Sequence, residues 1–201
     1  MKVLVMSTIS WFLFWACACS ATEGISPSES TPLAQEVEAL YSANFSRVAE
    51  ASSRLIASAR LSSENRDEIV RRLTMVLDDP RTEQTRYFNA WYASAETLGD
   101  LGAVEAINVL VRHLNYTNGV AGLTLSHVPA VKALIKIGKP AVSAVGVALS
   151  DSRASIRANA ARALGGIGGE EAVAILERAS KTEKDKTVRF YIEKGLEQSI
   201  R

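Results

Sequence analysis

The stretch from Asp151 to Ser180 reads DSRASIRANAARALGGIGGEEAVAILERAS. It holds two short amphipathic segments separated by a glycine turn. The first places Ile156, Ala160, Ala163, Leu164 and Ile167 on one helical face, and the second does the same with Ala172, Val173 and Leu176. Apolar residues recurring three and four positions apart, interrupted by Gly-Gly-Ile-Gly-Gly, predict a helix–turn–helix unit. Working outward, the same unit recurs. Leu98, Leu134, Leu164 and Leu196 fall at one equivalent position, in steps of 36, 30 and 32 residues. Four residues earlier stand Ser94, Ala130, Ala160 and Ile192, and three residues later Leu101, Ile137, Ile167 and Ser199. Gly102, Gly138 and Gly168 follow, where a positive φ at a helix C-terminus suits glycine. The last copy has Ile200 there and lacks the apolar +3 residue, as a terminal cap facing water would. A period of thirty-odd residues with this pattern predicts stacked helical repeats, an all-α fold.

Residues Ile156-Arg157, Ala160, Ala163-Leu164-Gly165, Ile167-Gly168, Ala172-Val173 and Leu176 resemble the HEAT repeat family, and more closely its phycobilisome lyase type. Val188-Arg189 begins another copy, and Ala133-Leu134, Ile137-Gly138 and Ala141-Val142 form a weaker one. The resemblance is close from Val128 to Gln198 and looser from Arg86 to Leu114. It implies a right-handed α-α superhelix, a HEAT-like solenoid of about four to five helix pairs, with the second helices lining the concave side. It also implies a protein-binding surface or, as the alternative, a bilin lyase or its accessory. Of the equivalent residues Trp91, His127, Arg157 and Arg189, only the last two carry the arginine typical of the family.

The first twenty residues have another character. Lys2 precedes an uncharged, mostly apolar run from Val3 to Trp15, 13 residues and too short to span a membrane comfortably. Small residues Ala16, Ala18, Ser20 and Ala21 follow, so residues 1–20 are expected to be an export signal. Both cysteines of the chain, Cys17 and Cys19, lie here, each after an alanine. Either could carry a lipid in the manner of an envelope lipoprotein, the alternative to simple cleavage. Residues 21–32, rich in Ser, Thr, Glu and Pro, form a polar linker, and 33–201 the repeat domain. The expected location is therefore outside the cytoplasm: periplasm, cell envelope or medium.

Lys2 is the only charge lost with the signal, which leaves 22 basic and 22 acidic residues. A balanced chain lacks the uncompensated positive field that phosphate backbones require, so no nucleic-acid partner is expected. His113 and His127 are the only histidines, and no cysteine lies in the repeat domain. That argues against a nitrogen–sulfur metal site, and no cofactor is expected. No Gly-x-Ser-x-Gly elbow occurs, and the 165–169 glycines lack the strand and the Lys-Ser/Thr of a phosphate loop. The chain is thus expected to be a non-enzymatic binding or scaffold module whose partner is another protein.

Within the domain, Thr31-Pro32 reads as a helix start. Residues 33–59 read as one long helix or as two with a bend near Asn44. Residues 61–64 read as a turn with Ser63 a candidate cap, and the next helix is predicted over 67–77, with Ile69, Val70, Leu73, Val76 and Leu77 inward and a stop at Asp78-Asp79-Pro80. Helices are predicted over 86–101, 103–114, 125–137, 140–149, 155–167, 170–179 and 186–200, with a loop at 115–122. Tyr87, Phe88, Trp91 and Tyr92 put aromatics on two stripes of one helix. Either both stripes are covered, or Tyr87 and Trp91 anchor a partner, being residue types enriched at binding hot spots. Partner contacts are further expected at Asn108, Arg112 and His113 on a second helix, at Tyr116 and Asn118 on the loop, and at Ser143, Glu177 and Arg178 on later units. Lys132, Lys136 and Lys139 share a stripe that is either a solvated helix back or a basic surface.

Overall fold

A computed structural model describes residues 31–117 and 128–199. Ten helices run through them in order: α1 (Pro32–Ala39), α2 (Phe45–Ala59), α3 (Ser63–Leu77), α4 (Phe88–Asp100), α5 (Ile107–Arg112), α6 (Pro129–Ile137), α7 (Val142–Ala148), α8 (Ala154–Ile167), α9 (Glu170–Ser180) and α10 (Lys186–Ser199). The described residues contain no strand, and the all-α expectation holds.

The starts and stops follow from local side chains. Thr31 Oγ1 accepts from the Ala34 amide and Pro32 occupies the first turn of α1. The chain then divides near Asn44. Ser42 Oγ accepts from the Asn44 amide, and Asn44 Oδ1 in turn caps α2 at the Arg47 amide. Short polar side chains that bond to nearby amides favour such breaks over continuous helix. The cap of α3 is Ser62, one residue before the expected Ser63; its hydroxyl accepts from the Asn65 amide at 3.1 Å. The segments predicted over 86–101, 103–114 and 140–149 each open with a 3₁₀ turn, at Thr85–Tyr87, Val104–Ala106 and Lys139–Ala141. Their α-helical parts are correspondingly shorter.

The helices pack in two alternating rows. α2, α4, α6, α8 and α10 each touch the next in that series, as do α3, α5, α7 and α9, and every member also contacts at least one of its sequence neighbours in the other row. α1 lies against α2 and α3. The aligned leucines 98, 134 and 164 are wholly buried, and Leu196 packs partly buried against the same core. Gly102, Gly138 and Gly168, expected at helix ends from the register, all adopt positive φ.

Two close approaches set the spacing within the first row. A Cβ on Gly165 would lie 2.4 Å from Gly195 Cα, and one on Gly99 would lie 2.9 Å from Ala133 Cα. In register terms, the residue after one aligned leucine sits on the residue before the next. Backbone meets backbone there, as small residues allow. Ile135 holds that position on α6 and cannot make the same approach. Its Cδ1 instead fills the place where a Cβ on Gly166 would stand, 2.4 Å away.

Candidate partner-binding face

The second-row helices carry two distinct clusters. The first lies where α3, α4 and α5 meet. Asp78, at the end of α3, takes Arg112 Nη2 at 2.7 Å and His113 Nε2 at 2.8 Å. Burial pushes the Asp78 carboxyl up, but the hydrogen bond from His113 and the charge of Arg112 outweigh it and hold the group below its ordinary value. Behind this pair Tyr116 stacks on Trp91 at 4.2 Å and on Phe88 at 5.9 Å, and His113 meets Trp91 edge-on at 5.9 Å. The Tyr116 hydroxyl donates to the Thr82 carbonyl. Trp91 Nε1 donates to the Leu77 carbonyl at 3.1 Å.

Trp91 is therefore not the exposed anchor that two aromatic stripes allowed. It is 0% exposed, closed over by Tyr116 and tied to α3. Tyr87 is half-buried, edge-on to Tyr41 at 5.7 Å and covered by the Arg86 guanidinium at 4.7 Å. Both stripes are covered: Trp91, His113 and Tyr116 come together as a packed stitch between helices, and Tyr87 packs separately against Tyr41. Arg112 remains exposed at its edge, and Asn108 is exposed on α5. Asn118, like Cys17, Cys19 and His127, lies outside the described residues.

The second cluster is an open groove of about 540 Å³ between α7 and α9. Ser143, Ser150, Thr182, Glu171 and Arg178 line it, with Ile175 in its wall. Val147 on its edge is 74% exposed, an apolar side chain that nothing in the fold covers. Two of the expected contacts, Ser143 and Arg178, thus share one groove, and Glu177 is exposed next to Arg178 on α9. Among the described residues Arg178 donates only to its own helix, at the Ala174 carbonyl. Among the described residues neither Arg178, Glu171 nor Glu177 enters an ion pair. Glu183, which also lines the groove, is committed: Arg157 Nε lies 2.8 Å away and Nη2 donates at 3.1 Å. That bidentate bond, aided by backbone amides of Asp185 and Lys184, lowers the Glu183 carboxyl to about 2.

Charge on the first row is mostly paired. Lys132 pairs with Glu96, and Lys136 Nζ lies 2.6 Å from Asp100 Oδ1. Two members of the lysine stripe seen in sequence, Lys132 and Lys136, are rungs to α4, and Lys139 lies exposed in the turn after α6. Sequence reasoning missed Asp78 and Asn159. Asn159 Nδ2 donates to the Leu114 carbonyl at 2.7 Å from within the core. A lone Asn inside Ala158–Ala161 was the available signal, since a buried amide needs a partner.

Residues 129–197 match a family model for HEAT repeats. The matched stretch begins with α6 and ends in α10, so the α7–α9 groove lies within it and the aromatic stitch before it. A search of curated proteins finds no match to the chain. Among the described residues no helix is long and apolar enough to cross a membrane, and no three His, Cys, Asp or Glu side chains are placed to hold a metal ion.

Proposed function

We propose that this chain is an exported, non-enzymatic binding module. Its helix pairs follow one another as a right-handed HEAT-type solenoid, and the second-row face grips a protein partner. One observation carries this reading. The groove between α7 and α9 joins an exposed Val147 to Arg178 and Glu171, which enter no ion pair among the described residues, while most cations of the first row are neutralised by neighbours. Apolar contact area beside uncommitted charge is what a docking surface needs, because the partner supplies the missing counter-charges. HEAT repeats commonly serve as interaction scaffolds, which is compatible with this role. A balanced net charge favours protein over nucleic acid as the partner.

The test is a set of alanine substitutions at Ser143, Glu171 and Arg178, read by capture of partner from the host's envelope fraction and by melting temperature. The expected result is weakened capture with an unchanged melt. Equal loss of both would make these residues structural. Export has its own check, since mass spectrometry of the mature N-terminus separates a lipid on Cys17 or Cys19 from an unmodified cleaved end.

A further inference from the structure

The α7–α9 groove orders its chemistry along α9. Glu171 lies in the first turn of that helix, Ile175 one turn on and Arg178 in the last turn, and all three line the groove. Spacings of four and three residues put them on one helical face. At 1.5 Å rise per residue, seven positions separate the two charges by about 10 Å along the axis. Across the groove Gly146 of α7 meets the middle of this row, since a Cβ placed on it would lie 3.0 Å from Ile175 Cδ1. Val147 follows Gly146 and adds its exposed apolar side chain. Along α9 the groove therefore reads acid, apolar, base. Among the described residues neither charge has a counter-ion.

Resting on the partner-binding reading above, we propose that the occupant of this groove is one amphipathic helix of the partner protein. That helix carries an acidic and a basic residue seven positions apart, with an apolar residue between them on the same face. Its acid meets Arg178, its base meets Glu171, and its apolar side chain meets Val147 and Ile175. Two physical reasons select a helix over an extended segment. The groove walls are helices, whose backbone groups bond within themselves, so an extended chain finds no sheet edge to pair with. A helix arrives with its peptide groups already satisfied. The second reason is periodicity. About 10 Å is two helical turns, so residues seven apart share a face. In an extended chain, at about 3.3 Å per residue, the same distance is three residues, which places the two charges on opposite faces.

The experiment uses the full chain, labelled with ¹⁵N, and three hydrocarbon-stapled helical peptides of one length. Each has a leucine between two charged positions seven residues apart. One peptide carries glutamate and lysine there, one carries two glutamates and one two lysines. A fourth probe, kept extended by prolines, has glutamate and lysine three residues apart. The mixed-charge helix is expected to shift the Gly146 amide saturably. It should bind about fivefold tighter than either like-charge helix, as exchanging an exposed ion pair for a repulsive contact implies. Glu171→Lys is expected to move the preference to the two-glutamate helix. The peptide series on the unmodified protein stands even where that variant fails to fold. Equal affinities among the helices, tighter binding of the extended probe, or no saturable shift at Gly146 would overturn the proposal. None of these results decides the partner-capture test with the alanine variants, so the two readings fail separately.

Discussion

The chain builds the same helix stacking in two chemically different ways. From α1 to α5 the joints are large and polar: Trp91 under Tyr116, Tyr41 edge-on to Tyr87, Asp78 between Arg112 and His113, and Tyr41 donating to Asp79 at 2.6 Å. From α6 to α10, the stretch that matches the HEAT-repeat model, the joints are small. Alanines and glycines fill the contact positions, and the backbones of α8 and α10 meet at Gly165 and Gly195. The first half gains cohesion from specific partners, the second from close approach. The second half therefore retains unpaired polar surface in the α7–α9 groove, whereas the first uses more of its aromatic and charged side chains to hold itself.

The comparison breaks first at Trp91. Trp91→Ala removes the whole stack and should cost about 4 kcal/mol in urea unfolding. Trp91→Phe should cost about 1–2 kcal/mol, since it keeps a ring but leaves the Leu77 carbonyl without its donor. A cost under 1 kcal/mol for the alanine variant would show that the aromatic joint is not what holds α3 to α4.

In the other half the corresponding variant is Gly165→Val. Its Cβ would fall 2.4 Å from Gly195 Cα, which only helix separation relieves, and about 3 kcal/mol should be lost. Gly102→Ala is the control. Its positive φ of 58° carries strain but the space is open, so about 1 kcal/mol is expected. Equal effects would remove close approach as the organising feature of α8 and α10.

Asn159 joins the halves. Asn159→Ala strands the Leu114 carbonyl and should cost about 2 kcal/mol. It should also perturb the α5 end in hydrogen exchange, a readout that a purely local effect would not move.

Acid sensitivity compares the halves at smaller amplitude. Asp79, bonded by Arg81 and Tyr41, and Glu183, bonded by Arg157, are both held at about 2. A carboxyl lowered in the folded state lends stability that is complete above its unfolded value. For Glu183 this contribution drains as pH falls from its ordinary 4.5 toward about 2, because the unfolded chain takes the proton first. Glu183→Gln and Asp79→Asn should each flatten the loss of stability between about pH 5 and 2. An unchanged slope in either would show that pair to be absent in solution.

Much of this architecture was legible in the sequence. The leucine register, the three end glycines and the two-helix unit are local, periodic features, and each appears where spacing alone places it. The side-chain stitches were less legible because their partners are far apart in the chain. Nothing near Asn159 points to Leu114, and nothing near Asp78 points to His113. Aromatic stripes on α4 admitted two readings, and only the packing of Tyr116 decided between them. The lysine stripe likewise looks free on α6 until α4 supplies Glu96 and Asp100. In the groove, Ser143 and Arg178 were expected from their helix order, while Val147 and Glu171 entered only with the geometry.

The central claim is that the uncommitted face between α7 and α9 is where a protein partner docks. A photo-cross-linking residue placed at Ser143 or Arg178, with one at Gln198 on the other row as control, tests it directly. The expected result is a discrete adduct of one partner from the first two positions and none from the third. Adducts of equal yield from all three, or from the Gln198 position alone, would contradict it.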